Sequence, residues 1–335
     1  MRITTSTMMR QYTGRLNNVM RGMDIAGTRV TTGRKYQKAS EDPSSAVRAY
    51  KTRREFLKND DYVRNLKDTQ ELFTSYESSM MQVSRMSEDA HVDILTAING
   101  TQSADERKIL AEKLREMQKT MVMDMNVTVS DQYIFGGTGN KKPPFAIDDK
   151  GVLSYRGIDV NSKKPDDIAK LKAMSEEQIF IDLGFGMATT GTGNIDQNSA
   201  FNKAIPGIKF LGFGTDADGD SKNLVTLIGE IANALDQPEG VYSMARVEKL
   251  NTKFDKQRNG VIIDITKMGS NTMFLNYTEK RLDEVDFNFT KSIDSLEYVD
   301  SAKAITEFKM QDYVYRATLQ MGMNILSPSF IDFMK

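Results

Sequence analysis

Apolar side chains return at alternating spacings of three and four through Met9, Tyr12, Leu16, Val19, Met23, Ala26 and Val30, drawing one stripe along one side of a helix. A helix cannot bury its own stripe, so this one needs a partner. The pattern breaks at KASEDPSSA, residues 38 to 46. Gly33 is placed to close the first helix, and Asp42 before Pro43 reads as an N-cap followed by a first-turn proline, where the missing N–H costs little. Gly33, Asp42 and Pro43 therefore predict a joint, a hinge between a terminal helix and the segment after it.

A second stripe begins weakly at Val47 and Tyr50 and becomes regular from Leu66 through Phe73, Tyr76, Met80, Val83, Ala90, Ile94 and Ala97, before Asn99-Gly100 stops it. A helix from Pro43 to Ile98 would be about 80 Å long at 1.5 Å per residue. Ser103 and Glu106 then have the spacing of a capping box. Leu110, Leu114, Met117, Met121 and Met125 predict a third helix ending near Ser130, antiparallel to the second because the turn between them is short.

The texture changes at QYIFGGTGNKKPPF, residues 132 to 145, and GVLSYRG, IFIDLGFGM and GIKFLGFG read as strands in a Gly-rich middle. Helical spacing resumes at Leu224, Leu227, Ile231 and Leu235, with Asp220 or Ser221 expected to cap it and Pro238 to stop it. A long segment from Val247 to Phe289 follows, which Gly269-Ser270-Asn271 could loosen or restart. Ile305, Phe308, Tyr315, Leu319 and Leu326 carry the final stripe, ended by SPSF from Ser327. The expected fold is mainly α with an inserted β-rich domain, its long antiparallel helical bundle or coiled coil formed by the N- and C-terminal segments. The expected domains are residues 1–39 with 301–335 as terminal coiled-coil helices, 40–135 with 222–300 as rod helices, and 136–221 as the β-rich outer domain.

Composition narrows the chemistry. The chain of 335 residues has no Cys and one His, which removes disulfides, thiol nucleophiles and thiolate metal sites together. No run approaches the roughly 18 apolar residues of a membrane span, and the start has no apolar core of a cleaved signal. Net charge is -1, yet residues 1–35 carry +6 and residues 145–240 carry -6. A basic amphipathic arm could address a membrane or nucleic acid, but Thr, Asn and Gln interleave its charges, and the reading preferred is a polar face on a packing helix.

Catalytic signals are poor. His91 has no second His or Cys for a metal cluster. DADGDS at 216–221 alternates three Asp like a calcium loop, but Ser221 and Leu227 stand where such a loop needs Gly and a bidentate Glu, so it reads as an acidic turn. GFGMATTGTG at 184–193 has Thr189 where a nucleotide fingerprint needs its third Gly. No cofactor, catalytic or metal residue is assigned, and no enzyme activity is expected.

Taken in order, SEDPSSA at 40–46, QYIFGGTGNKKPPF at 132–145 and ILSPSFIDFMK at 325–335, with stripes near both ends, resemble the flagellin superfamily. Within it the Pro43 version of the joint and the YIFGG to PPF stretch are similar to the hook-filament junction family of hook-associated proteins. The competing readings are flagellin itself and a helical type III secretion tip or translocator-like protein. The resemblance implies a secreted structural subunit of the bacterial flagellum, exported by the flagellar type III system without a cleaved signal peptide. It implies as partners flagellin, another hook-associated protein on the hook side, further copies in a ring, and an export chaperone bound through the C-terminal helix. It implies neither nucleic-acid binding nor membrane insertion. Met9, Tyr12, Leu16, Val19, Met23 and Val30, with Ile305, Phe308, Tyr315, Leu319 and Leu326, would form the assembly seam.

Overall fold

The computed structural model of the chain describes residues 5–100, 102–148, 151–191, 194–196 and 199–326. Helix α1 is Thr5–Thr32, α2 is Pro43–Asn99 and α3 is Ala104–Asp124. Short strands β1 (Thr128–Val129) and β2 (Gln132–Tyr133), then β3 (Phe145–Ile147), β4 (Leu153–Tyr155) and β5 (Ile158–Asp159), open the middle of the chain. They are followed by α4 (Pro165–Ser175), β6 (Phe180–Ile181), β7 (Phe201–Asn202), α5 (Gly207–Leu211) and α6 (Leu224–Leu235). The long α7 (Met244–Glu297) and α8 (Ser301–Leu326) complete the order, so the chain is mainly helical with small sheets between. All the sheets are antiparallel: β1 with β2, β6 with β7, and β3-β4-β5 in register Phe145 to Tyr155 and Tyr155 to Ile158.

The chain divides into two compact units, one of Met1–Asp60 with Asp283–Lys335 and one of Asp61–Leu282. The second holds the continuous core. There α2 supplies Leu66, Phe73, Tyr76, Met80, Val83, Ala90 and Ile94, and α7 supplies Val247, Leu250, Phe254, Val261, Met268, Leu275 and Leu282. These positions recur every three, four or seven residues, the spacing that keeps one helical face toward a partner. The two helices run antiparallel, as His91 to Asp255 (3.1 Å) and Gln70 to Glu279 (2.9 Å) show. Tyr76, buried on α2, donates its hydroxyl to the Ile134 carbonyl at 2.8 Å, and burial pushes its pKa up to about 12. Its ring packs edge-on against Phe73 and Phe135 at 5.7 and 5.2 Å, which ties α2 to the turn after β2.

The capping box forms as expected: the Ser103 side chain accepts from the Glu106 N–H, and the Glu106 carboxylate accepts from the Ser103 N–H at 2.8 Å. Three expectations are corrected. GIKFLGFG is not a strand, because Pro206 starts a helical turn that buries Ile208 and Leu211 on one side and leaves Lys209 exposed. A short apolar run does not separate these two states by itself. Helix α6 is capped not by Asp220 or Ser221 but by Asn223, whose Oδ1 accepts from the Thr226 N–H at 3.0 Å. Helix α7 runs unbroken through Gly269-Ser270-Asn271, with Met268 and Leu275 buried on either side. In addition, α4 was not expected, though Pro165 at its start and Asp166 and Asp167 in its first turn are helix-start signals. The expected stop at SPSF lies outside the described residues.

Candidate assembly surface

Helices α1 and α8 pack antiparallel through small residues. A Cβ built on Gly27 would lie 3.3 Å from the Phe308 ring, one on Gly22 3.0 Å from Gln311 Oε1, and one on Gly322 would fall onto the Tyr12 hydroxyl. Ala26 and Ala304 are buried between the helices. Arg29 Nη1 reaches Glu307 at 3.5 Å, an exposed pair worth little by itself. On α8 the positions facing inward are Ala304, Phe308, Gln311, Tyr315, Thr318 and Gly322, a strict alternation of four and three.

The expected seam residues divide between this contact and solvent. Tyr12, Leu16, Val19, Met23, Phe308 and Tyr315 are half-buried. Met9, Val30, Ile305 and Leu319 are exposed, at 42%, 37%, 44% and 39%. The side chain of Leu326, the last residue of α8, lies outside the described ones. Met20, Ile25, Met310 and Val314 add to the exposed apolar surface of the pair. Among the described residues of this unit, the buried apolar side chains are Ala26, Ala49 and Ala304. An alanine methyl removed from water is worth about 0.8 kcal/mol, against about 1.5–3 kcal/mol for a buried Leu, Ile or Phe. The pair buries little and exposes much.

At the joint, Gly33 ends α1 with φ +68° and its N–H donates to the Arg29 carbonyl at 2.9 Å, the left-handed closure that glycine permits. The backbone then crosses over: the Lys35 N–H donates to the Glu297 carbonyl at 2.8 Å and the Val299 N–H to the Gly33 carbonyl at 2.9 Å, with Arg34 and Tyr298 bridged as in a sheet. Asp42 Oδ1 accepts from the Ser45 N–H at 3.0 Å, and Pro43 is the first residue of α2. Hydrogen bonds from Ser45 hold the Asp42 carboxyl below the usual carboxylate range. Asp300 caps α8 in the same way, accepting from the Lys303 N–H at 3.0 Å. Arg53 of α2 pairs with Glu297 at the end of α7 at 2.5 Å. Sequence reasoning did not find Asp300, the Arg53–Glu297 pair or the glycines of the interface. Asp300 three residues before Lys303 was a legible cap; nothing in the pattern pairs Arg53 with Glu297.

The acidic turn is an internal ion cluster. Lys253 Nζ lies 2.5, 2.8 and 2.6 Å from Asp216, Asp218 and Asp220. Arg246 donates to Asp220, which lowers the Asp220 pKa to about 2. Burial alone would lower the Lys253 pKa, but hydrogen bonds to the three carboxylates raise it instead. An open groove of about 710 Å³ lies beside Phe201, Met268 and Phe274; of its charged lining residues Asp264 pairs with Lys267 and Glu177 with Arg156, both at 2.8 Å, and Glu176 and Lys209 also line it. Neither arrangement supplies a nucleophile with a base. Among the described residues no helix is long and apolar enough to cross a membrane.

Residues 3–140 match the family described as the bacterial flagellin N-terminal helical region. Over 325 residues, 95% of this chain and 95% of the relative, it is 23% identical to flagellar hook-associated protein 3 of Salmonella typhimurium. It is also 23% identical over 266 residues to the Escherichia coli protein of that name, spanning 73% of this chain and 83% of that one. A flagellar hook-associated protein of Vibrio parahaemolyticus shares the fold with a TM-score of 0.60 at 15% identity, over 77% of this chain and 100% of that one. Flagellar hook-associated protein 3 of Legionella pneumophila does so with a TM-score of 0.53 at 12% identity, over 73% of this chain and 98% of that one.

Proposed function

We propose that the chain is the adaptor subunit of the flagellar hook-filament junction. It is a structural component of the flagellum rather than a catalyst. It would sit in a ring of its own copies, with another hook-associated protein on the hook side and flagellin on the filament side. The observation that carries this reading is the α1/α8 pair, in which, among the described residues, the fully buried apolar side chains are Ala26 and Ala304, the larger seam residues are at most half-buried, and Met9, Val30, Ile305 and Leu319 are exposed. So little burial does not offset the conformational entropy of ordering two long helices, and contacts with neighbouring copies supply the rest. Folding of the terminal helices is thereby coupled to assembly, with Gly33, Asp42 and Pro43 as the joint that lets them dock. Residues 1–39 with 301–335 are the assembling segment, 40–135 with 222–300 the rod, and 136–221 the outward domain. Before assembly the weakly held α8 is available to an export chaperone, and the loosely packed ends suit passage of an unfolded chain through the type III channel.

Deleting the gene tests this reading. Cells lacking the protein are expected to keep their hooks, shed flagellin into the medium and grow no filaments. Normal filaments in the deletion strain would refute it.

A further inference from the structure

The α1/α8 pair joins helices from opposite ends of the chain, and the two connectors that lead into it are bonded to each other. The Lys35 N–H donates to the Glu297 carbonyl at 2.8 Å and the Val299 N–H to the Gly33 carbonyl at 2.9 Å, on either side of the Arg34–Tyr298 bridge. This is one rung of an antiparallel ladder, with Arg34 and Tyr298 as its non-hydrogen-bonded pair. Contacts with three helices reinforce it: Arg29 Nε of α1 donates to the Lys35 carbonyl at 3.1 Å, Arg53 of α2 pairs with Glu297, and Lys35 Nζ donates to the Ser295 carbonyl near the end of α7. Burial within the pair is concentrated toward this rung. Ala26 and Ala304 are 5% and 3% exposed and Gly27 faces the Phe308 ring, whereas Met8 and Met9 near the start of α1 and Met321 and Met323 near the end of α8 are 42%, 42%, 62% and 65% exposed.

We propose that residues 33–35 and 297–299 form a clasp from which α1 and α8 pair, so that the two helices order and release together, beginning at the joint. Two helices so far apart in the chain would otherwise have to close a very long loop before making their first contact. With the clasp shut that loop is already closed, and each further turn adds contacts beside the last, as in helix growth from a nucleus. Gly33 is therefore more than a helix stop: its carbonyl is the acceptor that ties the connector into α8 to the end of α1. The clasp makes the pair one two-state element rather than two helices that fray independently. It is a property of the single chain and does not depend on the docking reading above.

Amide hydrogen exchange on the intact chain tests the clasp, with α6 as the reference. Val299→Pro removes one clasp donor while leaving Tyr298 extended, the conformation that a following proline favours. Exchange is expected to rise about fivefold in both α1 and α8, the effect of one net hydrogen bond, whereas Val299→Ala keeps the N–H and changes little. Because the chain has no Cys, an Arg34→Cys, Tyr298→Cys pair can be oxidised without competing thiols. A non-hydrogen-bonded pair stands about 4.5 Å apart at Cα, within disulfide range. The oxidised staple is expected to slow exchange in both helices, more in residues 22–32 and 301–311 than in 8–16 and 316–323, and reduction is expected to restore the original rates. Where the proline variant fails to fold, the staple decides. A Val299→Pro effect confined to α8 would overturn the clasp, as would a staple that leaves α1 unchanged or protects the far ends more than the joint ends.

Discussion

Gly322 offers a test in which two physical effects predict opposite signs. In an unpacked helix, replacing it with Ala stabilises by about 1 kcal/mol, because alanine loses less backbone freedom on folding. In the pair seen here, the new methyl lands on the Tyr12 hydroxyl with Tyr12 Cε2 at 2.9 Å. Overpacking of this kind costs about 1–3 kcal/mol, reduced where the clashing group is the swinging end of a side chain. The net expectation for Gly322→Ala is a loss of about 1 kcal/mol from the α1/α8 pair. In a unit whose buried apolar side chains, among the described residues, are alanines, that is a large fraction of its stability. Amide hydrogen exchange on the intact chain, read at short labelling times with α6 as reference, should show protection in both α1 and α8 falling five- to tenfold. The double variant Tyr12→Leu, Gly322→Ala should recover most of it, since the pair is coupled. If α8 becomes better protected and α1 does not change, propensity has won, and the packing argument for the pair fails.

Further expectations concern the other unit. Gly260 and Gly269 lie within α7 with no atom within 4 Å of a built Cβ, so Gly260→Ala and Gly269→Ala should each raise stability by about 1 kcal/mol in urea unfolding followed by circular dichroism. Asp220 has its pKa depressed to about 2 by Arg246 and Lys253, against about 3.9 for an unfolded Asp. Its contribution, about 2 kcal/mol, is present above pH 4 and lost as pH falls through 2. Thermal midpoints between pH 5 and 2 should show that loss, and Asp220→Asn should flatten it. Tyr76→Phe leaves the buried Ile134 carbonyl without its donor and should cost about 1–3 kcal/mol with the helix content unchanged.

The long helices could be read directly because their stripes are made of large residues at fixed spacing: Leu66 to Ala97 and Val247 to Leu282 leave little freedom in which face is buried. Proline and glycine punctuation located the end of α1 and the start of α2, and Asp42 caps α2 where its position before Pro43 indicated. Short elements were harder. Ile208 and Leu211 form too few turns for a period, so Pro206 was the better signal than the apolar run around it. The terminal seam shows a different limit. Stripe counting weights large side chains and did include Ala26, but the α1/α8 contact also runs through Gly22, Gly27, Ala304 and Gly322, which the stripes passed over. Ile305 and Leu319 consequently fall beside the inward positions 304 and 318 rather than on them. The internal ion cluster was legible as an acidic turn, but its cation comes from Lys253, far along the chain, and local sequence does not name distant partners.

The division of the chain also imposes an order in time. Helix α1 leaves the ribosome before the other unit does, yet its partner α8 follows every helix and strand of that unit. No amount of waiting lets the first unit close before α8 has been translated. A product cut short in the part of α7 beyond Leu282 would therefore carry the whole second unit and an α1 with nothing to pair with. In such a chain the α1/α8 pair could not form, so the surface proposed above for assembly would never be completed.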